Sequence, residues 1–229
     1  MAARIGTPGI PAPPPAGFIQ GGTRLRAVPL VPEIRLHQAG EPIELWQRTE
    51  RVAGRTGLDL PFWAFALAGG QALARYLLDH PGVARGKHVI DIGSGSGLVA
   101  IAAVMAGAAA VTAYDIDPLA VAAIGVNATV NGVRVPAVCA DILDQEGMPA
   151  PGTELVLAAD AFYQRDLAAR VMRFLDRSRA RQVAVLAADF GRAYLPRERL
   201  TPLASYDVPG LRALEDSDVK HTTIWALRE

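Results

Sequence analysis

The segment Val89-Ile90-Asp91-Ile92-Gly93-Ser94-Gly95-Ser96-Gly97 constrains this chain more than any other. It reads as a buried strand carrying an acid, then a turn with glycines spaced G-x-G-x-G, then the start of a helix at Leu98. Without Cβ atoms the turn can bend sharply and bring its backbone N–H groups close to a ligand. A dinucleotide fingerprint, G-x-G-x-x-G, would place its third glycine at the position held by Leu98, which argues against a dehydrogenase.

The chain around this turn alternates strand and helix signals. Lys87–Asp91 is strand-like, Leu98–Ala106 helical, Ala110–Asp115 strand-like and Leu119–Asn131 helical. Strand signals follow at Val133–Val138 and Glu154–Ala159, a helix at Arg165–Leu175, and strands at Gln182–Ala187, Ser205–Val208 and Val219–Leu227. Apolar runs this short fit strands buried on both faces, so the pattern predicts an α/β doubly wound, mostly parallel sheet with helices on both faces. Upstream, Gly69-Gly70 precedes an amphipathic helix over 71–78 that Pro81-Gly82 stops. Thr23–His37, interrupted by Pro29 and Pro32, suits edge strands, and Glu41–Ala53 suits a helix ended by Gly54 and Gly57. The expected organisation is a Pro/Gly-rich flexible arm over 1–22, an N-terminal cap segment over 23–60 and the α/β domain over 61–229.

Composition narrows the function. With 23 basic and 23 acidic side chains there is no net field to attract nucleic acid or an anionic membrane. Cys139 is the sole cysteine, which rules out an intrachain disulfide and points to a reducing compartment. His37, His80, His88 and His221 have no partner at metal-ligand spacing, so no metal site is expected. Pro8, Pro11, Pro13, Pro14 and Pro15 preclude the apolar core of a secretory signal, and the apolar run from Leu98 to Ala113 is too short to span a bilayer. A cytoplasmic location is the expectation, with neither a membrane nor a nucleic acid as partner.

Four acids follow predicted strands. Asp115 ends the second strand of the series, where a carboxylate can accept from two ribose hydroxyls. Asp117, followed by Pro118, suits the N-cap of the next helix. Asp141 is placed to accept from an adenine amine while the adjacent Ile142 N–H reaches a ring nitrogen. Asp160-Ala161-Phe162-Tyr163 follows the strand ending at Ala159, where Phe162 and Tyr163 either wall an amine-binding channel or pack the next helix. Trp63 either covers a ligand or belongs to the core; Gly69-Gly70 either admits a ligand or starts a helix close to the sheet.

Together these residues resemble the seven-strand class I methyltransferases, whose site binds S-adenosylmethionine (SAM) on an acid and a G-x-G-x-G turn. More narrowly, the chain is similar to the lysine methyltransferases that modify the electron transfer flavoprotein beta subunit. That similarity runs from Pro32-Glu33-Ile34-Arg35-Leu36 through Pro61-Phe62-Trp63-Ala64 and from Gly69 to Asp79. It continues through Asp91–Gly97, Asp115–Pro118, Asp160–Tyr163, Asp189-Phe190-Gly191-Arg192 and Thr222-Thr223-Ile224-Trp225. The family usually carries Trp-Pro before the paired glycines, where this chain has Leu67-Ala68.

The resemblance implies a Rossmann-like, seven-stranded sheet and SAM as cofactor. It implies SAM-binding roles for Trp63, Gly70, Asp91, Gly93, Gly95, Gly97, Asp115, Ile116, Asp141, Ile142 and Ala159, and catalytic roles for Asp160 and Tyr163. The implied partner is a protein substrate, the electron transfer flavoprotein beta subunit. A small-molecule amine methyltransferase would instead close an aromatic pocket around Tyr163, and a non-catalytic SAM-binding protein would have no use for Asp160. Nucleic-acid methylation lacks a basic stripe and an Asn-Pro-Pro-aromatic sequence after the fourth strand of the series.

Overall fold

The computed structural model describes residues 16–53, 56–210 and 219–228. The chain enters with a short helix, α1 (Ala16–Gly22), and an antiparallel hairpin, β1 (Arg24–Val28) and β2 (Val31–Gln38), turned at Pro29-Leu30. Helix α2 (Pro42–Ala53) follows, with Pro42 at its start. After a single 3₁₀ turn at Phe62–Ala64 comes α3 (Ala68–Asp79), which leads into the α/β body.

The body runs β3 (His88–Ile92), α4 (Leu98–Met105), β4 (Ala110–Asp115), α5 (Pro118–Val130), β5 (Ala137–Cys139), β6 (Leu155–Ala159), α6 (Arg165–Ala180), β7 (Ala184–Asp189), β8 (Leu200–Pro209) and β9 (Val219–Leu227). Its seven strands are ordered β5-β4-β3-β6-β7-β9-β8, with β9 alone antiparallel to its neighbours. This is the mostly parallel, doubly wound sheet the alternation predicts. The order reverses between β3 and β6: from β3 the chain moves outward to β4 and β5, then returns to the other side. Loops leaving the carboxyl ends of β3 and β6 therefore diverge and open a crevice at that point.

Alternate residues of each central strand feed opposite layers. Val89, Leu155, Leu157 and Ala188 pack with α3, α4 and the β1–β2 hairpin. Ile90, Ile92, Val156, Ala158 and Ala187 pack with α6 through Val171, Phe174 and Leu175. With both faces covered, the strands are apolar throughout, and the alanine-rich α4 lies close to the sheet because it has little side-chain bulk to hold it away.

Three boundaries depart from the sequence reading. Residues 16–22 form a helix where a flexible arm is expected, because Phe18 and Ile19 are buried against Leu45, Ala120 and Ala123. Three glycines give that segment little propensity of its own, so tertiary packing holds it. Residues 1–15 and Gly54 lie outside the described residues. The strand expected over 133–138 begins only at Ala137, since Pro136 lacks the N–H a ladder needs and contributes its carbonyl alone, to Ala113 N–H. Strand β8 runs over ten residues, Leu200–Pro209, where only 205–208 are expected. As an edge strand it tolerates Pro202, at a register shift before Ala204, and Pro209, at its last position.

The hairpin is fastened to the body by two asparagines one turn apart on α5. Asn131 accepts from Arg35 N–H at 2.9 Å and donates to Arg35 O at 2.7 Å. Asn127 accepts from His37 N–H and donates to Ser96 O, both at 2.8 Å. The second pair ties the hairpin directly to the glycine turn.

Candidate active site

A cleft of about 660 Å³ opens at the crevice between the carboxyl ends of β3, β4 and β6, within the size range of cofactor sites. The glycine turn forms its floor. Gly93, Gly95 and Gly97 have φ of 60°, 52° and 82°, a left-handed backbone that favours glycine at all three. A Cβ on Gly93 would meet nothing within 4 Å. The space beside that backbone is therefore open for a ligand.

Gly97 differs from the other two. It caps α4 without lining the cleft, and a Cβ there would come within 3.2 to 3.3 Å of Ile124. Its close approach to Ile124 gives it a packing role between α4 and α5.

Two carboxylates brace the turn. Asp91, 1% exposed, accepts from the Ser94 hydroxyl. Burial pushes its pKa up to about 7, opposed by the Ser94 hydroxyl and the Ala100 N–H. Asp115 accepts from Gly95 N–H on one oxygen at 2.8 Å and from Asp117 N–H on the other at 2.9 Å. A carboxylate has about four lone-pair sites, so Asp115 retains acceptor capacity toward the cleft it lines. Its pKa is raised by burial. Asp117 caps α5, accepting from Leu119 N–H at 2.8 Å, as its place before Pro118 predicts.

Around the rim, Ile116 is 69% exposed while Ile142 is buried, and both line the cleft with Ala159. Asp141 lines it too, but one of its oxygens is paired with Arg170 at 2.7 Å, and the other accepts from Leu143 N–H. Trp63 belongs to the core, 1% exposed and packed with Ala120 and Ala123, and it also forms part of the cleft wall. Its indole N–H has no hydrogen-bond partner among the described residues.

Asp160 stands at the far wall with φ 55°, an unusual backbone for a residue with a side chain. The carboxyl is 7% exposed. One oxygen accepts from Gly70 N–H at 2.9 Å and the other from Arg192 Nη1 at 2.7 Å. Burial raises its pKa, and the Arg192 charge opposes that rise. Gly69 is explained by the same contact: a Cβ there would fall 2.6 Å from Asp160 Oδ2 and 2.7 Å from Ala188 O. Gly69 thus makes room for a protein carboxylate and not for a ligand, while Gly70 lines the cleft.

Phe162 and Tyr163 part company. Phe162 is fully buried in the layer under α6, so only its packing alternative survives. Tyr163 is 45% exposed on the cleft, its ring 6.0 Å from that of Phe62. Its hydroxyl pKa is raised by burial and by the Asp59 and Asp115 carboxylates. Sequence reasoning assigned no role to Arg192, Asp59 or Lys220, all of which line the cleft. For Arg192 a signal exists, since Asp189-Phe190-Gly191-Arg192 follows a strand as Asp160–Tyr163 does.

Among the described residues there is no cluster of three or more His, Cys, Asp or Glu able to hold a metal ion. Nor is any helix there long and apolar enough to cross a membrane.

Comparison with known proteins decides the family. The electron transfer flavoprotein beta subunit lysine methyltransferase of Xenopus laevis is 34% identical over 93% of this chain and 86% of its own length. The chain belongs to this lysine methyltransferase family. The Mus musculus member is 37% identical over 86% of this chain and 77% of its own. The sequence model of the ribosomal protein L11 methyltransferase (PrmA) family matches residues 71–159, the span from α3 through β6. The fold also matches the crystal structure of the magnesium protoporphyrin IX methyltransferase of Synechocystis PCC 6803 with bound SAM. That match has a TM-score of 0.51 and 14% identity, over 80% of this chain and 90% of that one.

Proposed function

We propose that this chain is a SAM-dependent protein-lysine N-methyltransferase acting on the electron transfer flavoprotein beta subunit. The observation that carries this reading is the placement of the buried Asp160 carboxyl and the exposed Tyr163 ring on one cleft with the glycine turn and Asp115. Relatives named for this activity share the chain nearly end to end.

The residues present fit SAM. The open backbone at Gly93 and Gly95 leaves room beside the turn, the spare acceptors of Asp115 suit ribose hydroxyls, and Ile116, Asp141 and Ile142 line the side where an adenine would rest. Trp63, Gly70, Asp91 and Ala159 complete the wall. When bound, SAM supplies a methyl group on an electron-poor sulfonium.

The chain's own task is to deliver a neutral amine in line. A free lysine with pKa about 10.4 is neutral in only about one molecule in 2,500 at pH 7. Asp160 accepts a hydrogen bond from the ammonium and orients it; the carboxylate holds the amine pKa up while desolvation in the cleft pulls it down, and the proton leaves to solvent before attack. Tyr163 offers its ring face to the cation. Phe62 and Tyr163, 39% and 45% exposed, stand on an open rim that can admit a side chain projecting from a folded protein. The free thiol of Cys139 is in keeping with a reducing, cytoplasmic setting.

Methyl-labelled SAM incubated with this protein and purified beta subunit tests the reading. Label recovered as methyl-lysine after hydrolysis supports it. Label found only on small amines overturns the substrate, and no transfer to any amine overturns the reaction.

A further inference from the structure

Arg192 is built into the site on three sides. Its Nη1 donates to Asp160 Oδ1 at 2.7 Å and to Asp189 Oδ2 at 2.8 Å, so a single nitrogen bridges two carboxylates that end neighbouring strands. The guanidinium carbon lies 4.1 Å from the Phe190 ring centroid. Asp189, fully buried, spends its other oxygen on the N–H groups of Gly191 and Arg192, each at 2.7 Å. The loop after β7 is thereby wound around the carboxylate that anchors the arginine.

Two buried carboxylates sharing a site cannot both ionise cheaply. Arg192 between them opposes protonation of Asp160, and a carboxylate there complements an incoming ammonium. Without the arginine, burial and the neighbouring Asp189 carboxylate would favour the protonated form of Asp160. A protonated Asp160 would then carry no charge toward the amine.

We propose that Arg192 is a positioning residue that holds Asp160 as a carboxylate at the cleft wall, with Asp189 as its anchor. This rests on the methyltransferase reading for its consequence in catalysis. The charged groups acting on Asp160 among the described residues are Arg192 and Asp189 from the end of β7; α3 contributes the Gly70 N–H. Strand β9 places Lys220 4.7 Å from the Phe190 ring centroid, close to this group. Arginine differs from lysine here in the planar guanidinium face that stacks on the Phe190 ring and so fixes where the bridging nitrogen sits.

The test compares wild type with Arg192→Gln and Arg192→Lys. Protein labelled with ¹³C at the aspartate carboxyls, with the Asp160 signal assigned through Asp160→Asn, reports the ionisation of Asp160 directly and needs neither SAM nor substrate. The expected result is a midpoint raised by about one pH unit or more in Arg192→Gln, a tenfold change in ionisation, with Arg192→Lys intermediate. Single-turnover methyl transfer should fall by up to about tenfold per pH unit of midpoint shift in Arg192→Gln at pH 7, its acid limb moving to higher pH with the midpoint, while SAM Kd changes by less than about threefold. An unchanged midpoint in both variants, or a lysine variant no better than glutamine, overturns the proposal. If Arg192→Gln does not fold, Arg192→Met, which keeps an apolar stem over Phe190 and removes the charge, takes its place, and a midpoint equal to wild type there contradicts the bridging role. A wild type that transfers no methyl group, in the presence of the midpoint shift, removes the proposed function and leaves the ionisation claim standing.

Discussion

Gly69 and Asp160 are so closely apposed that a Cβ on the glycine would lie 2.6 Å from Asp160 Oδ2, with Ala188 O at 2.7 Å on the other side. The first turn of α3 is therefore shaped around a carboxylate from β6, and the next residue, Gly70, gives that carboxylate its N–H. Neither obstacle is the loose end of a flexible side chain. Gly69→Ala should cost roughly 1–3 kcal/mol by overpacking and displace Asp160. Gly70→Ala, whose Cβ would meet only Leu98 Cδ2 at 3.7 Å, should leave stability unchanged or slightly raised. Denaturant melts of the two variants check the contrast; equal losses would show that the Asp160 contact is not the reason for the first glycine.

Asp115 combines two tasks, holding Gly95 and Asp117 by their N–H groups and keeping acceptor capacity for a ligand. Asp115→Ala should weaken SAM binding by about ten- to a hundredfold, or roughly 1.4–2.7 kcal/mol. Asp141→Ala should do less, because Asp141 already spends an oxygen on Arg170. Titration calorimetry with SAM measures both.

Asn127 links His37 N–H in the hairpin to Ser96 O in the glycine turn. Asn127→Leu would leave both groups without a partner and should destabilise by roughly 2–4 kcal/mol. SAM affinity should fall alongside, since the turn loses its brace. A variant that loses stability and keeps wild-type affinity would show that the hairpin is fastened to the turn without steadying it.

Stability should fall as pH rises through the window set by Asp91. Its pKa is about 7 folded against 3.8 ordinarily, so the folded state holds the proton more tightly. The penalty is absent below about pH 4, grows through the interval and is complete above pH 7. Asp115, Asp117 and Asp160 are shifted in the same direction by burial. Asp91→Asn should flatten the slope of Tm against pH between 4 and 8, and an unchanged slope would assign the burden to the other acids.

The sheet is legible in the sequence because its central strands are short apolar runs bounded by Gly, Pro or acid, and β3, β4 and β6 are each followed by a helix-period segment. The G-x-G-x-G turn and the acids after strands locate the crevice for the same reason: loop chemistry at strand ends is local. What sequence does not carry is the partner across space. Nothing near Gly69 announces Asp160, ninety-one positions later, and the aromatic pair at Phe162-Tyr163 gives no hint that one ring goes under α6 and the other to the rim. Gly97 resembles its two predecessors in spacing yet packs on Ile124. Helix α1 is invisible because its stability belongs to Leu45, Ala120 and Ala123, not to its own residues.

The most direct measurement of the central claim is the intact mass of electron transfer flavoprotein, both subunits, after incubation with SAM and either wild-type protein or Asp160→Ala. The expected result is a gain of about one to three methyl masses on the beta subunit with wild type and none with Asp160→Ala, while both bind SAM. An unchanged beta subunit in the presence of wild-type protein that demonstrably binds SAM would contradict the substrate. Equal methylation by Asp160→Ala would contradict the site.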